Sequence, residues 1–271
     1  MSLPNFDFSY IDSLPQRPAG EGRVFLGAAT EQRGDRPTLL FIHGGYHGAW
    51  CFAHYVAYFD AINVPAAAMD MRGHGGLPQA NDLHRQGVRE MAEDVAAACA
   101  ALDGPVVLVG HSAGALVAAA AGEALPLAGL GLLAPSPPGQ LDGLAPLPLM
   151  PTKQLVPPPN DAVCQEKFLG GLTAENVGAF TGRLCAESPQ LLNDRYALRI
   201  HIDRQAFDVP AICIAAGRDL GTLHPEGQDE ATARFYGADY KMLDDAPHCM
   251  MLSSDWQTSA DLIATWYRRH F

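Results

Sequence analysis

Concentrated positive charge is missing from this 271-residue sequence, which has 18 Lys and Arg against 30 Asp and Glu and a formal net charge of −12. Phosphate backbones and anionic membranes are bound through clustered Lys and Arg, so the composition disfavours nucleic acid and membrane partners. We expect a small neutral or apolar molecule as the partner, although net charge alone says little about one local pocket. The sequence carries no signature of an oligomeric state.

Closely spaced cysteine pairs are also missing. The six cysteines contain no CxxC pair, which removes the usual zinc and redox motifs, and we expect buried free thiols. Residues 1–7 lack the basic start of a secretory signal. The most apolar stretch, residues 113–135, is interrupted by Glu123, Pro126 and glycines, so it divides better into a helix and a strand than it fits a membrane span. We therefore expect a cytoplasmic protein.

What the sequence does contain is a repeated pattern of a short apolar run, a turn and a helical stretch. Apolar runs without polar alternation are typical of strands that are covered on both faces, as in parallel sheets. The pattern predicts the α/β class with a mostly parallel, doubly wound sheet. The predicted strands are residues 38–42, 63–69, 105–109, 127–133, 211–215 and 239–243, with 23–27 as an edge strand. The predicted helices include 86–101, 113–124 and 255–269.

One long segment interrupts this pattern. Residues 136–209 are proline-rich at first and then polar and helical in character, and they separate two predicted strands. About seventy residues is too long for a loop within a compact domain. We predict that 136–209 is an inserted helical cap, and that 1–135 and 210–271 form the core. Its place is above the strand ends, where ligands bind in open α/β sheets.

The run Gly110-His111-Ser112-Ala113-Gly114 matches the nucleophile elbow of serine hydrolases. In that turn the serine sits in a strained conformation between a strand and a helix, and only small residues fit two positions before and after it. GxSxG is a weak pattern alone. Here the apolar run 105–109 precedes it and an alanine-rich helical run follows it, so we predict that Ser112 is a nucleophile.

A histidine base should follow the serine in the chain, after an acid. Of the late histidines, His270 is close to the fraying terminus, and His224 is only five residues beyond the best acid, which leaves little reach. His248 follows the last predicted strand, where its side chain can lie over the sheet. We therefore predict that His248 is the base.

Asp219 follows the strand 211–215 and is the predicted acid, holding the imidazole in the required tautomer and stabilising the imidazolium. The loop one strand earlier has no carboxylate before Asp142. Asp244 and Asp245 are too close in sequence to His248 to approach its ring in the right orientation. Asp219 is therefore preferred.

An oxyanion hole requires two backbone N–H donors. One is expected from Ala113, directly after the nucleophile. The other is expected from Gly45, in the turn that follows the strand 38–42. Tyr46, next in that turn, is a candidate substrate contact.

These motifs together resemble the α/β-hydrolase superfamily, over roughly residues 38–271. The resemblance implies the α/β-hydrolase fold, and it implies that the protein is an esterase-like member of the superfamily with a serine nucleophile. An aspartate nucleophile marks the epoxide hydrolases and dehalogenases of the fold, so Ser112 excludes them. Carbon–carbon bond hydrolases often have Asn where His111 stands. The residues that carry the resemblance are His43-Gly44-Gly45 with Trp50, Asp70-x-Arg72-Gly73-His74-Gly75, Gly110 to Gly114, Asp219 and His248.

The predicted reaction is hydrolysis of an ester bond through a Ser112 acyl-enzyme, with no metal and no organic cofactor. Alternatives on the same residues are thioester, lactone, amide or carbon–carbon bond hydrolysis. A lyase that does not acylate, and a ligand receptor that has kept the fold, also stay open.

Overall fold

Apolar β-branched and alanine-rich runs form one sheet through the middle of the molecule. The structure, a computed structural model, describes residues 6–171, 174–219 and 223–271. Within these ranges the sheet has eight strands in the order β1-β2-β4-β3-β5-β6-β7-β8, parallel from β4 to β8 and antiparallel at β1 and β2. The strands are β1 Gln16–Ala19, β2 Gly22–Leu26, β3 Thr38–Ile42, β4 Ala66–Asp70, β5 Val106–His111, β6 Gly129–Leu133, β7 Ala211–Ala216 and β8 Asp239–Leu243.

Helices cover both faces of this sheet. Along β3, Leu39 and Phe41 pack into one hydrophobic cluster while Leu40 and Ile42 pack into another, as the two-residue period of a strand requires. The helices are α1 Ser9–Ser13, α2 Ala53–Ala61, α3 Val88–Leu102, α4 Ala113–Gly122, α5 Asp161–Val163, α6 Ala174–Thr181, α7 Pro189–Tyr196, α8 Gln228–Tyr236 and α9 Trp256–His270. The predicted fold class is confirmed, since α2 and α9 contribute to the first cluster and α3 and α4 to the second.

The prediction of an edge strand at 23–27 is wrong in its position. β2 lies second in the sheet, because a hairpin places β1 outside it with Gln16 opposite Phe25. β1 has three exposed residues out of four and contains Pro18, so it lacks the apolar run that predicts most of the other strands. Proline is tolerated there because an edge strand need not donate every ladder hydrogen bond.

The segment between β6 and β7 contains α5, α6 and α7, and α5 continues as a π-helical turn, Cys164–Phe168. A two-residue bridge between Val156 and Glu187 ties its first half to its second. The division into a core and a cap at 136 and 209 stays a prediction, and residues 172–173 of it lie outside the described residues.

All six cysteines are free, and four of them are buried, as expected. Among the described residues, no helix combines the length and the apolar character that crossing a bilayer requires. Residues 1–5, which belong to the segment predicted to lack a secretory signal, lie outside the described residues.

Candidate active site

Ser112 lies at the sharp turn between β5 and α4, with φ 52° and ψ −124°. This conformation is unfavourable for a residue with a Cβ and costs on the order of 1–3 kcal/mol. Two backbone hydrogen bonds hold the turn: Ser112 N–H donates to the Leu133 carbonyl and Ser136 N–H donates to the Ser112 carbonyl, both at 3.0 Å. The end of β6 therefore supports the strained residue.

Glycines allow the elbow to pack against its neighbours. A Cβ on Gly110 would lie 2.4 Å from the Cα of Ala115, and one on Gly114 would lie 2.3 Å from the His43 carbonyl oxygen. A Cβ on Gly44 would lie 2.9 Å from the Cβ of Ser112. The elbow therefore packs closely on itself at Gly110 and on the β3 turn at Gly44 and Gly114, so a side chain at any of these positions would force its neighbours apart.

His248 and Asp219 form a buried pair after β8 and β7. His248 Nδ1–H donates to Asp219 Oδ2 at 2.6 Å, and both residues are at most 4% exposed. His111 of the elbow donates its Nε2–H to the His248 carbonyl oxygen at 3.0 Å, and the two rings lie 4.8 Å apart between centroids. The nucleophile turn thus fixes the backbone of the predicted base directly.

His224 lies closer to this pair than the sequence argument allowed. Its Nδ1 is 4.0 Å from Asp219 Oδ2 and 2.8 Å from Asp229 Oδ1, and its ring stands edge-on to His248 at 5.6 Å. The expectation that five residues leave too little reach is wrong, because His224 N–H also donates to the Asp219 carbonyl at 3.1 Å. The 2.6 Å hydrogen bond of Asp219 nevertheless goes to His248.

The turn after β3 presents the Gly45 amide, and His43 fixes its plane. His43 Nδ1–H donates to the Gly44 carbonyl at 2.8 Å, while His43 Nε2 accepts from Met71 N–H at 3.2 Å. The Gly44 carbonyl and the Gly45 N–H belong to one peptide, so this contact orients the donor. Burial lowers the pKa of His43 well below its usual value, and neighbouring His74 adds to the effect, so the ring is neutral. Among the described residues, neither Gly45 N–H nor Ala113 N–H has a hydrogen-bond acceptor.

A buried carboxylate holds the next residue of that turn. Glu187 Oε2 accepts from Tyr46 N–H at 2.9 Å and from His74 Nε2–H at 3.0 Å, and both Glu187 and His74 are fully buried. His74 Nδ1–H donates to the Arg72 carbonyl, so both ring nitrogens are donors. Burial opposes protonation of His74, but the Glu187 carboxylate outweighs it and raises the pKa. Tyr46 has φ 69°, a left-handed value stabilised by this contact.

A cavity of about 330 Å³ joins these features. Predicted site residues Gly45, Tyr46, Ser112, Ala113 and His248 all line it, and Asp219 lies behind His248. Helix α7 and the π-helical turn supply much of the rest of its wall. The wall residues from the segment between β6 and β7 are Ser136, Leu147, Lys167, Phe168, Leu191, Leu192, Arg195 and Tyr196.

One group of side chains could in principle ligate a metal ion among the described residues. Ligand atoms of Asp219, His224 and His248 lie within 4.8 Å of one another. The Asp219 and His248 atoms already satisfy each other at 2.6 Å, which is shorter than the separation that two ligands of one zinc ion adopt at about 2 Å from the metal. The arrangement therefore fits an oriented base better than a metal centre.

The chain matches a known protein family over most of its length. A model of the alpha/beta hydrolase family matches residues 39–262, most of the chain. The chain belongs to the alpha/beta hydrolase family. The expected resemblance to this family is thereby confirmed.

Curated relatives match over shorter stretches. The hydrolase is 40% identical over 91 residues to Esterase PIR7B of Oryza sativa subsp. japonica, which is 32% of this chain and 34% of that protein. It is 37% identical over 89 residues to Protein phosphatase methylesterase 1 of Mus musculus, which is 30% of this chain and 22% of that protein. The chain thus spans about a third or less of the length of these relatives.

Solved structures share the fold over most of the chain. The methylesterase MES16 from Arabidopsis has a TM-score of 0.65 at 19% identity, covering 84% of this chain and 98% of its own. Polyneuridine aldehyde esterase has a TM-score of 0.66 at 18% identity, covering 85% and 99%. Tomato methylketone synthase I, solved with 2-tridecanone, has a TM-score of 0.66 at 16% identity, covering 87% and 99%.

Several residues of the site lay beyond sequence reasoning. Glu187, His43 and His47 act through contacts with the β3 turn, and no spacing in the sequence brings Glu187 to Tyr46, 141 residues away. Arg195 and Lys167 lie in the segment between β6 and β7, and the periodicity of the sequence does not predict how that segment folds over the site. His43 alone had a signal, since it begins the His-Gly-Gly motif.

Proposed function

We propose that this α/β hydrolase is a serine esterase that acts through a Ser112 acyl-enzyme. The observation that carries the proposal is the strained φ of 52° at Ser112, which lines one cavity together with His248. Structures keep such strain where a reacting group needs a fixed position. The esterases among the relatives and structural neighbours support the choice of ester over other acyl bonds.

In the proposed reaction His248 takes the proton of Ser112 as the hydroxyl attacks the acyl carbon, and Asp219 stabilises the imidazolium that forms. The 2.6 Å contact at Nδ1 leaves Nε2 as the basic nitrogen. The imidazolium then donates its proton to the departing alcohol. Water, activated by the same nitrogen, releases the acid and regenerates Ser112.

Negative charge develops on the carbonyl oxygen during both steps. Gly45 N–H and Ala113 N–H are the proposed donors, because both border the cavity without another acceptor among the described residues. One such donor is worth about 3 kcal/mol of barrier. Tyr46 is a proposed contact of the substrate, and the segment 136–209 is proposed to act as the cap that shapes its pocket.

The proposal is tested with Ser112→Ala on short p-nitrophenyl esters. We expect a fall in kcat/KM of about ten-thousand-fold or more, because the covalent step is lost. Exposed Ser254 gives a matched control, and Ser254→Ala should keep full activity. A fluorophosphonate probe should label the wild type at Ser112 and leave Ser112→Ala unlabelled.

Retained ester turnover by Ser112→Ala would exclude Ser112 as the nucleophile. An acyl adduct on Ser112, trapped by acid quenching and seen by mass spectrometry, is expected from an esterase. A lyase that uses the same residues as acid and base would leave no adduct. A panel of thioesters, lactones and amides of the same acyl group should be cleaved less efficiently than the ester.

A further inference from the structure

The part of the cavity wall that comes from the segment between β6 and β7 carries unexpected positive charge. Helix α7 turns four residues toward the cavity, Leu191, Leu192, Arg195 and Tyr196, a spacing that places them on one helical face. Arg195 is partly buried there, and Lys167 of the π-helical turn is a second partly buried cation on the wall. An acidic protein with 18 basic residues in total thus places two of them at its candidate site.

Neither cation is neutralised by a close carboxylate. None of the ion pairs of the described residues, taken out to 4.0 Å, includes Arg195 or Lys167. Arg195 instead donates from Nη2 to Gln228 Oε1 at 3.2 Å, a neutral amide. Burial lowers the pKa of Arg195, in the direction expected for a cation that lacks full compensation.

The acidic groups near the cavity lie closest to residues other than Arg195 and Lys167. Asp219 is hydrogen-bonded to His248, Asp229 lies 2.8 Å from His224 Nδ1, and Glu187 is paired with His74 behind the Gly45 turn. Asp229 attracts Arg195 only from beyond ion-pair distance. The pKa values of the cavity histidines His47 and His111 are lowered by burial, so these rings add no positive charge. Arg195 and Lys167 are the arginine and lysine side chains among the described residues that line the cavity.

We propose that the substrate is a small ester that also carries a free, ionised carboxylate. Arg195 and Lys167 bind this carboxylate while the ester group lies at Ser112. A partly buried cation without a counter-ion is costly, and a substrate carboxylate would offset that cost on binding. A volume of about 330 Å³ fits a small molecule rather than a long acyl chain. This inference rests on the proposed esterase function, and it replaces the neutral or apolar substrate expected from net charge.

The test compares methyl esters that differ in one group. Monomethyl succinate, glutarate and adipate are matched with methyl butanoate, pentanoate and hexanoate, so each pair exchanges a terminal methyl for a carboxylate. Methanol release gives kcat/KM for each. We expect the wild type to prefer the carboxylate member by about tenfold or more in at least one pair, as a charge-assisted hydrogen bond allows. The pair with the largest ratio reports the spacing between Ser112 and the cations.

Charge-removing variants assign the preference. Arg195→Gln and Lys167→Gln should each lower the ratio of carboxylate ester to neutral ester, with the larger fall for Arg195→Gln. Arg268 and Lys153 are exposed, so Arg268→Gln and Lys153→Gln make the same charge changes away from the cavity and should leave the ratio unchanged. A wild-type ratio of one or less in all three pairs would overturn the inference, and so would a ratio unaffected by both cavity variants.

Binding without turnover separates this inference from the proposed reaction. In Ser112→Ala, glutarate should bind more tightly than pentanoate by calorimetry, and Arg195→Gln in that background should remove the difference. Equal affinities of the two acids would contradict the cation site even if the wild type is an active esterase. Loss of hydrolysis in all pairs, with the affinity difference retained, would instead contradict the proposed function and leave the anion site standing.

Discussion

At the scale of single residues, the site depends on two backbones touching where a side chain is absent. Gly114 is the second residue of α4, and a Cβ on it would lie 2.3 Å from the His43 carbonyl oxygen and 2.6 Å from the Ile42 carbonyl oxygen. Both oxygens belong to the chain that leads into the Gly45 turn. A methyl group at Gly114 must therefore move the proposed oxyanion donors relative to Ser112.

Gly114→Ala should consequently lower both stability and activity. We expect a loss of about 1–3 kcal/mol in the free energy of unfolding, as for overpacked cores, measured by urea titration. kcat on a short ester should fall with it. The control is Gly178→Ala in α6, where an added Cβ meets nothing within 4 Å. That variant should be stabilised by about 1 kcal/mol, since alanine is the better helix former. Equal stabilities for the two variants would contradict the proposed clash.

At the scale of elements, the segment between β6 and β7 is fastened to the turn after β3. Cys185 N–H donates to the Tyr46 carbonyl at 2.9 Å, and Glu187 accepts from Tyr46 N–H at 2.9 Å. The segment therefore binds both the carbonyl and the N–H of Tyr46. The Glu187 carboxylate also pairs with the buried His74. These hydrogen bonds join the segment that lines the cavity to the turn that carries Gly45.

Glu187→Ala should loosen the junction between this segment and the turn after β3. The variant leaves Tyr46 N–H and one nitrogen of His74 without their buried acceptor, which costs about 1–3 kcal/mol for each unsatisfied group. We expect kcat to fall by more than KM rises, because the proposed role of the turn is to stabilise the oxyanion rather than to bind the ground state. Glu187→Gln, which keeps an acceptor oxygen, should recover part of kcat. Glu166→Ala changes an exposed glutamate of the same segment and is the matched control.

If Glu187→Ala lost only stability and kept the wild-type kcat at a temperature where it is folded, Glu187 would be a purely structural residue. Fold integrity is checked by circular dichroism before the kinetics. The effects on kcat and KM therefore decide whether Glu187 positions the turn or is purely structural.

Also at the scale of elements, most strands are predictable from their apolar runs, whereas β1 lacks such a run and was missed. β3 and β8 have the predicted bounds, while β4 begins three residues later than predicted, since Asn63 to Pro65 belong to the turn before it. β1 was missed because it is exposed and contains Pro18. β1 is a strand because it pairs with β2, and the local sequence pattern does not reveal such a pairing.

The candidate site divides along the same line. Ser112, His248 and Asp219 were found because parallel strands bring their carboxyl ends to one edge of the sheet, so chain order was enough to group them. Glu187 and Arg195 belong to a segment that packs over that edge by helix contacts without any fixed spacing. Sequence distance argues against His224 as a neighbour of Asp219, yet its Nδ1 lies 4.0 Å from Asp219 Oδ2.

At the scale of the whole molecule, buried histidines link stability to pH. His47 stacks on Trp50, donates from Nδ1 to the Gly45 carbonyl at 2.6 Å and accepts the Cys249 thiol at Nε2. Burial lowers the pKa of His47 to about 4, against 6.5 for an exposed histidine. The unfolded chain therefore binds a proton at His47 between pH 6.5 and 4 that the folded chain does not.

The contribution of His47 to stability is complete above pH 6.5 and is lost as the pH falls toward 4. The shift corresponds to about 3 kcal/mol over that range. Lowered pKa values at His43 and His111 act in the same direction, whereas the raised pKa values of His74, Asp70 and Asp194 act in the opposite one. The pH profile of the wild type sums these contributions, so His47 has to be isolated by difference.

His47→Gln isolates it, because glutamine keeps a donor and an acceptor but does not titrate. Unfolding free energies from urea titrations at pH 7, 6, 5 and 4 should fall more steeply for the wild type than for His47→Gln, so the variant's relative stability rises toward pH 4. His201→Gln, at an exposed position, should follow the wild-type profile. Parallel profiles for the wild type and His47→Gln would mean that His47 takes up its proton in the folded protein as easily as in the unfolded chain, contrary to its burial between Trp50 and the Gly45 turn.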